Sequence, residues 1–195
     1  MFKIGNVRLQ PDGAQTTEYA INIPRLGGNV GLPVVAYTSI AASSAHTSTT
    51  TEALLDQTYT LPANALSAGR RVRIKFQGIA TGTANTDTLT HKLYFGGLTG
   101  TALLTGTGTD VANNNIFCGE FELVCRTAGT SGTMVGFGSH ADVPAASGTA
   151  SPIYEIMAST TVNTTTTFVI GVGVDWSTTD TVNTCRLDYL TVDLL

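Results

Sequence analysis

Apolar and polar residues alternate strictly through Val72-Arg73-Ile74-Lys75-Phe76. A side-chain period of two describes a strand with one dry face and one wet face, whereas a helix needs apolar residues at three- and four-residue spacing. The pattern recurs along most of the chain. Phe117, Phe121, Leu123 and Cys125 fall on one face of a run whose other face carries Cys118, Glu120, Glu122 and Arg126. Phe168, Ile170, Val172, Val174 and Trp176 fall on one face of another, opposite Val169, Gly171 and Gly173. Turn-rich stretches separate the runs, among them ATGTANTDT, GTGTDVANNN and RTAGTSGT. The expected strands are 34–40, 52–61, 72–80, 89–95, 102–104, 116–126, 133–138, 153–158, 167–176 and 185–194. No helical stripe is present; LPANALSAG, residues 61–69, has room for a single turn between Pro62 and Gly69. Short strands at this rhythm with long connections predict an all-β fold, an antiparallel jelly-roll β-sandwich.

Two local irregularities carry further expectations. The last run changes phase, from Cys185, Leu187 and Tyr189 to Leu190, Val192 and Leu194, which predicts a β-bulge near Tyr189. Gly171 and Gly173 on one strand face predict close packing by another backbone or a flattened outer surface.

Residues 1–33 differ from the rest. Turn signals at Pro11-Asp12-Gly13, Pro24, Gly27-Gly28 and Pro33 break them into short alternating pieces. They read as an extended N-terminal arm with one or two short strands, preceding a sandwich domain at 34–195. Such an arm is either a loosely ordered terminus or a docking element. Tyr19, Ile21, Ile23, Pro24 and Leu26 are too apolar for a free tail and are the candidate partner-binding residues.

Composition narrows the function. Charged residues make up 12% of the chain, against a usual share of roughly 25%. Thr (34) and Gly (21) supply over a quarter of the sequence. Thr fits a pleated, half-buried surface and wets it without charge. Such faces suit water or the surface of another subunit. A net charge of −4 leaves no basic field for phosphate, so no nucleic-acid partner is expected. No apolar run approaches the length of a membrane span, and MFKIGNVRLQ lacks the apolar core of a signal peptide. Synthesis in a cytoplasm is the corresponding expectation. Cys118, Cys125 and Cys185 are too few for a disulfide framework and read as free thiols.

The catalytic inventory is thin. His46, His91 and His140 are far apart, two of them in Ser-, Thr-, Gly- and Ala-rich loops, and His91 alternates with Leu89, Leu93 and Phe95 as an inward or edge residue. No metal-ligand spacing occurs, and the Asp/Asn loops match no EF-hand. GTGTDVANNN has no helix behind its glycines to bind phosphate and reads as a hairpin loop. Glu120 and Glu122 lie side by side, not across a bond to be hydrolysed. No catalytic residue, metal or cofactor is expected. Four cations fall within Arg70–Lys75; alternation sends Arg71, Arg73 and Lys75 to an outer face. Glu120 and Glu122 are their expected counter-charges on a neighbouring strand.

Residues 48–97 resemble a module of tailed-bacteriophage virion proteins. The stretch covers about a quarter of the chain, and the shared residues within it are Thr60-Leu61-Pro62-Ala63-Asn64, Leu66, Gly69, Arg73-Ile74, Gly78, Asp87-Thr88 and Leu93–Gly97. The resemblance implies a jelly roll in a capsid decoration (cement), head-fibre or tail-appendage protein, and it transfers no catalytic residue. It further implies a position on the outer capsid surface, a major capsid protein as partner and self-association as a trimer. Arms and sheet faces multiplied by symmetry give such proteins their hold on a shell. The alternative is a receptor- or glycan-binding appendage, which requires the loops ANTDT, GTGTDVANNN and DWSTTDTVN to meet at one end of the sandwich with Trp176 as an aromatic platform.

Overall fold

A computed structural model describes residues 23–25, 28–30, 34–82, 87–144 and 148–195. The chain divides into two compact units, Met1–Leu32 and Pro33–Leu195. In the first, β1 (Ile23–Arg25) and β2 (Gly28–Val30) pair antiparallel, Ile23 with Val30 and Arg25 with Gly28. Ile23 and Pro24 of the expected docking residues lie in β1; Tyr19, Ile21 and Leu26 lie outside the described residues.

The second unit is a two-sheet sandwich. Its strands are β3 (Val34–Thr38), β4 (His46–Thr47), β5 (Ala53–Leu61), β6 (Arg71–Thr81), β7 (Thr88–Phe95), β8 (Thr101–Asp110), β9 (Asn115–Thr127), β10 (Gly132–Val143), β11 (Ile153–Val162), β12 (Phe168–Trp176) and β13 (Thr184–Leu194). The larger sheet runs β11-β10-β9-β6-β13-β3, with β4 also on β13; the smaller runs β5-β12-β7-β8. All pairs are antiparallel.

This strand order is a nested hairpin. β7 pairs with β8, β6 with β9, β5 with β12 and β3 with β13, so each pair encloses the one before it in sequence. Rolling such a hairpin until successive pairs fall in alternate sheets gives the jelly roll. β10 and β11 are an addition between β9 and β12 that widens the larger sheet. Alternation fills the space between the sheets, with Phe76, Phe117, Phe121, Leu93, Ile170, Leu187 and Trp176 fully buried.

Several expectations need correction. β8 is ten residues long, not three, and GTGTDVANNN is mostly strand; the turn before β9 shrinks to 111–114. β10 extends five residues past Gly138, so His140 lies in a strand and not in a loop. Residues 61–69 hold no helical turn. Two β-turns replace it, closed by Ala65 N–H to Pro62 O (3.2 Å) and Arg70 N–H to Ser67 O (2.9 Å). Each turn puts its third residue at positive φ, Asn64 at 62° and Gly69 at 85°, where Asn and Gly are tolerated best. The only helix among the described residues is a 3-10 turn at Gly97–Thr99, and no helix is long and apolar enough to cross a membrane. Gly171 and Gly173 face side chains rather than a backbone: Thr58 over the first, Tyr94 and Glu52 over the second. The β-bulge is present, since the β13–β6 register shifts between Leu187 and Tyr189.

Candidate functional site

The outer face of the larger sheet has two halves. On β6 and β9 the alternation puts Arg71, Arg73 and Lys75 beside Glu120 and Glu122, with Arg73 opposite Glu122 and Lys75 opposite Glu120. Arg71 Nη1 and Arg73 Nη2 lie 3.1 and 3.3 Å from the Glu122 carboxylate. Arg73 Nε and Lys75 Nζ lie 3.5 and 3.1 Å from that of Glu120. The expected ladder is therefore formed. It pairs the three cations Arg71, Arg73 and Lys75 with two carboxylates, Glu120 and Glu122.

The other half, on β10 and β11, is apolar and open. Phe137 stands opposite Ile156, and its ring stacks on Tyr154 at 5.8 Å with 11° between the planes. Phe137, Tyr154 and Ile156 are 55%, 64% and 78% exposed. Their alternate neighbours Gly136 and Gly138 point inward, where the Phe121 ring takes the space a side chain would need. Phe137 points the other way, beside a groove of about 740 Å³ bordered by Val124, Val135, Glu120 and Glu122. A clustered aromatic and aliphatic patch beside paired charges has the make-up of an interface core with a polar rim. Sequence reading missed this strip, because no register was known to bring Phe137 next to Tyr154 and Ile156.

The described residues of the loops expected of a glycan-binding end meet at Asp87, Thr88, Val111, Ser177 and Thr178. Val111 N–H donates to Asp87 O (2.8 Å), and Thr178 Oγ1 donates to Asp87 Oδ1 (2.7 Å). Thr88 and Ser177 exchange two hydrogen bonds, each 2.9 Å. Trp176, however, is only 1% exposed and belongs to the core, so it offers no ring to a sugar. Asp87 is buried and engaged by Thr178. The polar residues of these described loops knit the end together.

The structure assembles one cluster that spacing concealed. His91 on β7 and His140 on β10 come from opposite sheets, yet their rings stand 5.4 Å apart, edge to face. His91 Nδ1 lies 3.4 Å from Asp142 Oδ1, and His140 Nε2 lies 3.3 Å from Glu155 Oε1 on β11. Glu155 Oε1 also accepts the Thr105 N–H of β8 at 2.9 Å, which ties the edges of the two sheets together. Both histidines are buried, and none of their four ring nitrogens makes a hydrogen bond of normal geometry. Burial, reinforced by the nearby His140, pushes the His91 pKa down to about 3, so its imidazole is neutral at pH 7. Burial raises the Asp142 carboxyl to about 6. His46 is elsewhere, on β4 against β13.

No family model matches the chain, and no curated protein matches it by sequence. Among solved structures it is similar to the infectious bursal disease virus VP2 subviral particle, at 13% identity over 89% of this chain with a TM-score of 0.35. The T13 particle of the same virus gives 16% identity over 89% of the chain with a TM-score of 0.33. The chain spans 36–37% of the length of those two proteins. It is also similar to winged bean acidic lectin complexed with methyl-alpha-D-galactose, at 11% identity over 73% of this chain and 78% of the lectin, with a TM-score of 0.30.

Proposed function

We propose that this chain is a non-enzymatic structural protein of a bacteriophage virion that binds the outer face of the capsid shell and stabilises it. The observation that carries this reading is the exposed Phe137–Tyr154–Ile156 strip beside a ladder whose charges are already paired. An apolar patch framed by charges that are already paired favours a protein surface over a polyanion. The jelly-roll order of strands and the residues shared with phage virion modules at 48–97 point the same way. In this reading the arm at 1–33, with Tyr19, Ile21, Ile23, Pro24 and Leu26, lies along the major capsid protein as an added strand. Self-association, as a trimer on a three-fold axis, multiplies the weak single contacts.

Co-sedimentation with shells of the parent phage prepared without this protein tests the reading. The full chain is expected to pellet with the shells. Phe137→Glu and deletion of residues 1–33 are each expected to reduce binding at least tenfold while the domain stays folded. Undiminished binding by the truncated chain removes the arm from the contact. A full chain that stays in the supernatant removes the decoration role itself.

A further inference from the structure

We propose that His91, His140 and Asp142 form a binding site for one divalent transition-metal ion, best suited to Zn²⁺, that joins the two sheets of the sandwich. The three donor atoms already lie within 4.8 Å of one another, on two strands of opposite sheets. Two imidazoles and one carboxylate are a ligand set that tetrahedral zinc accepts, with a fourth position left over.

Three features of the surroundings favour an ion. First, the imidazole nitrogens are buried without hydrogen-bond partners of normal geometry, which in a β core is costly unless something binds them. Second, the His91 ring occupies space that Gly106 on the adjacent strand leaves open; a methyl group there would overlap the ring. Third, Glu155 stands 3.3 Å from His140 Nε2 and is itself fixed by the Thr105 N–H. That is the place of the carboxylate that orients a metal-bound histidine. Ligand atoms around zinc sit about 3.4 Å apart, given metal–ligand lengths near 2.0–2.1 Å. The donor atoms, now within 4.8 Å of one another, would draw together on binding the ion.

The site has a structural character. Its histidines are sealed from water, and Asp142 is its half-buried member toward solvent. The ion would hold β7 to β10 where the widened sheet extends past the eight-strand roll.

The full-length protein, stripped with a chelator and dialysed, is titrated with Co²⁺ as a spectroscopic probe and with Zn²⁺. One ion per chain, tetrahedral d–d absorption with Co²⁺, and a melting temperature raised by about 5–10 °C at a hundredfold excess of Zn²⁺ over its Kd are expected. Asp142→Asn, close in shape and half-buried, is expected to abolish the cobalt spectrum. Glu155→Gln should weaken the affinity 10- to 100-fold while keeping the spectrum. His46→Gln, on a different strand, should change neither. A folded wild-type chain with no cobalt absorption and no thermal shift overturns the proposal, as does binding that survives both Asp142→Asn and His140→Asn unchanged.

Discussion

At Gly78, on β6, a side chain would run into the Phe117 ring and the backbone oxygen of Arg186 on the neighbouring strand. Neither obstacle is the free end of a flexible chain. Gly78→Ala is therefore expected to destabilise the domain by about 1–3 kcal/mol, read as a lower urea midpoint at unchanged slope. The thiols give a second residue-scale prediction. Burial pushes the Cys185 thiol up to about 12, and burial also raises Cys118 and Cys125. Burial of the Cys185 thiol keeps it protonated and out of reach, so native protein should react with a thiol reagent first at half-buried Cys118 and last at Cys185. The sign of the linkage follows from the same shift. As pH rises above the unfolded thiol value near 8.5, the unfolded chain loses the proton before the folded one does, and stability falls. Cys185→Ala should flatten part of that decline between pH 8.5 and 10.5; an unchanged slope would count against the shift.

At the scale of elements, strands were legible wherever the wet and dry faces were made of different residues. β6, β9, β12 and β13 could be read to within a residue or two, bulge included, because their inward positions are mostly apolar side chains, broken on β6 and β9 only by Gly78 and Gly119 and by Asn115 at the start of β9. β8 was cut short because TGTGTD has no apolar member to mark a face. The end of β10 was lost for a more informative reason: its inward positions are His140 and Asp142, which read as a polar loop. The residues that concealed the strand are those of the buried cluster. His91 lies on the other sheet, and nothing in linear spacing encodes how two sheets face each other. The ladder could be read in advance because like-signed residues alternate within each strand, which leaves only the pairing to guess. Its energetic weight is small, since the side chains are 31–48% exposed and screened. Glu122→Gln, which breaks the pairs to Arg71 and Arg73, should cost about 0.5–1 kcal/mol at low salt and less at 1 M NaCl. A loss that does not shrink with salt would mean that packing, not charge, holds the strip.

On the scale of the whole molecule, the buried core among the described residues lies between Leu55 and Val192, all of it within the sandwich. The fragment 34–195 should unfold in a single transition within about 0.5 kcal/mol of the full chain. Nesting makes the route to that state slow. The outermost pair sets Val34 against Leu194 and Thr38 against Thr191, joining the two ends of the domain, and the β5–β12 pair encloses nearly as much chain. Contacts so distant in sequence exact loop-closure entropy before they return any burial energy, and all-β domains of this kind fold in milliseconds to seconds. Trp176 reports on the event, being the only tryptophan in the chain and fully buried beside the β5–β12 pairing. Stopped-flow refolding of 34–195 followed by its fluorescence should show the main change slower than about one millisecond. Changes confined to the outer hairpin, such as Ile156→Lys, should leave this rate alone, because β10 and β11 are added outside the nest. A sub-millisecond main phase, or a rate that falls with Ile156→Lys, would place the nucleus in local hairpins and not in the closing of the roll.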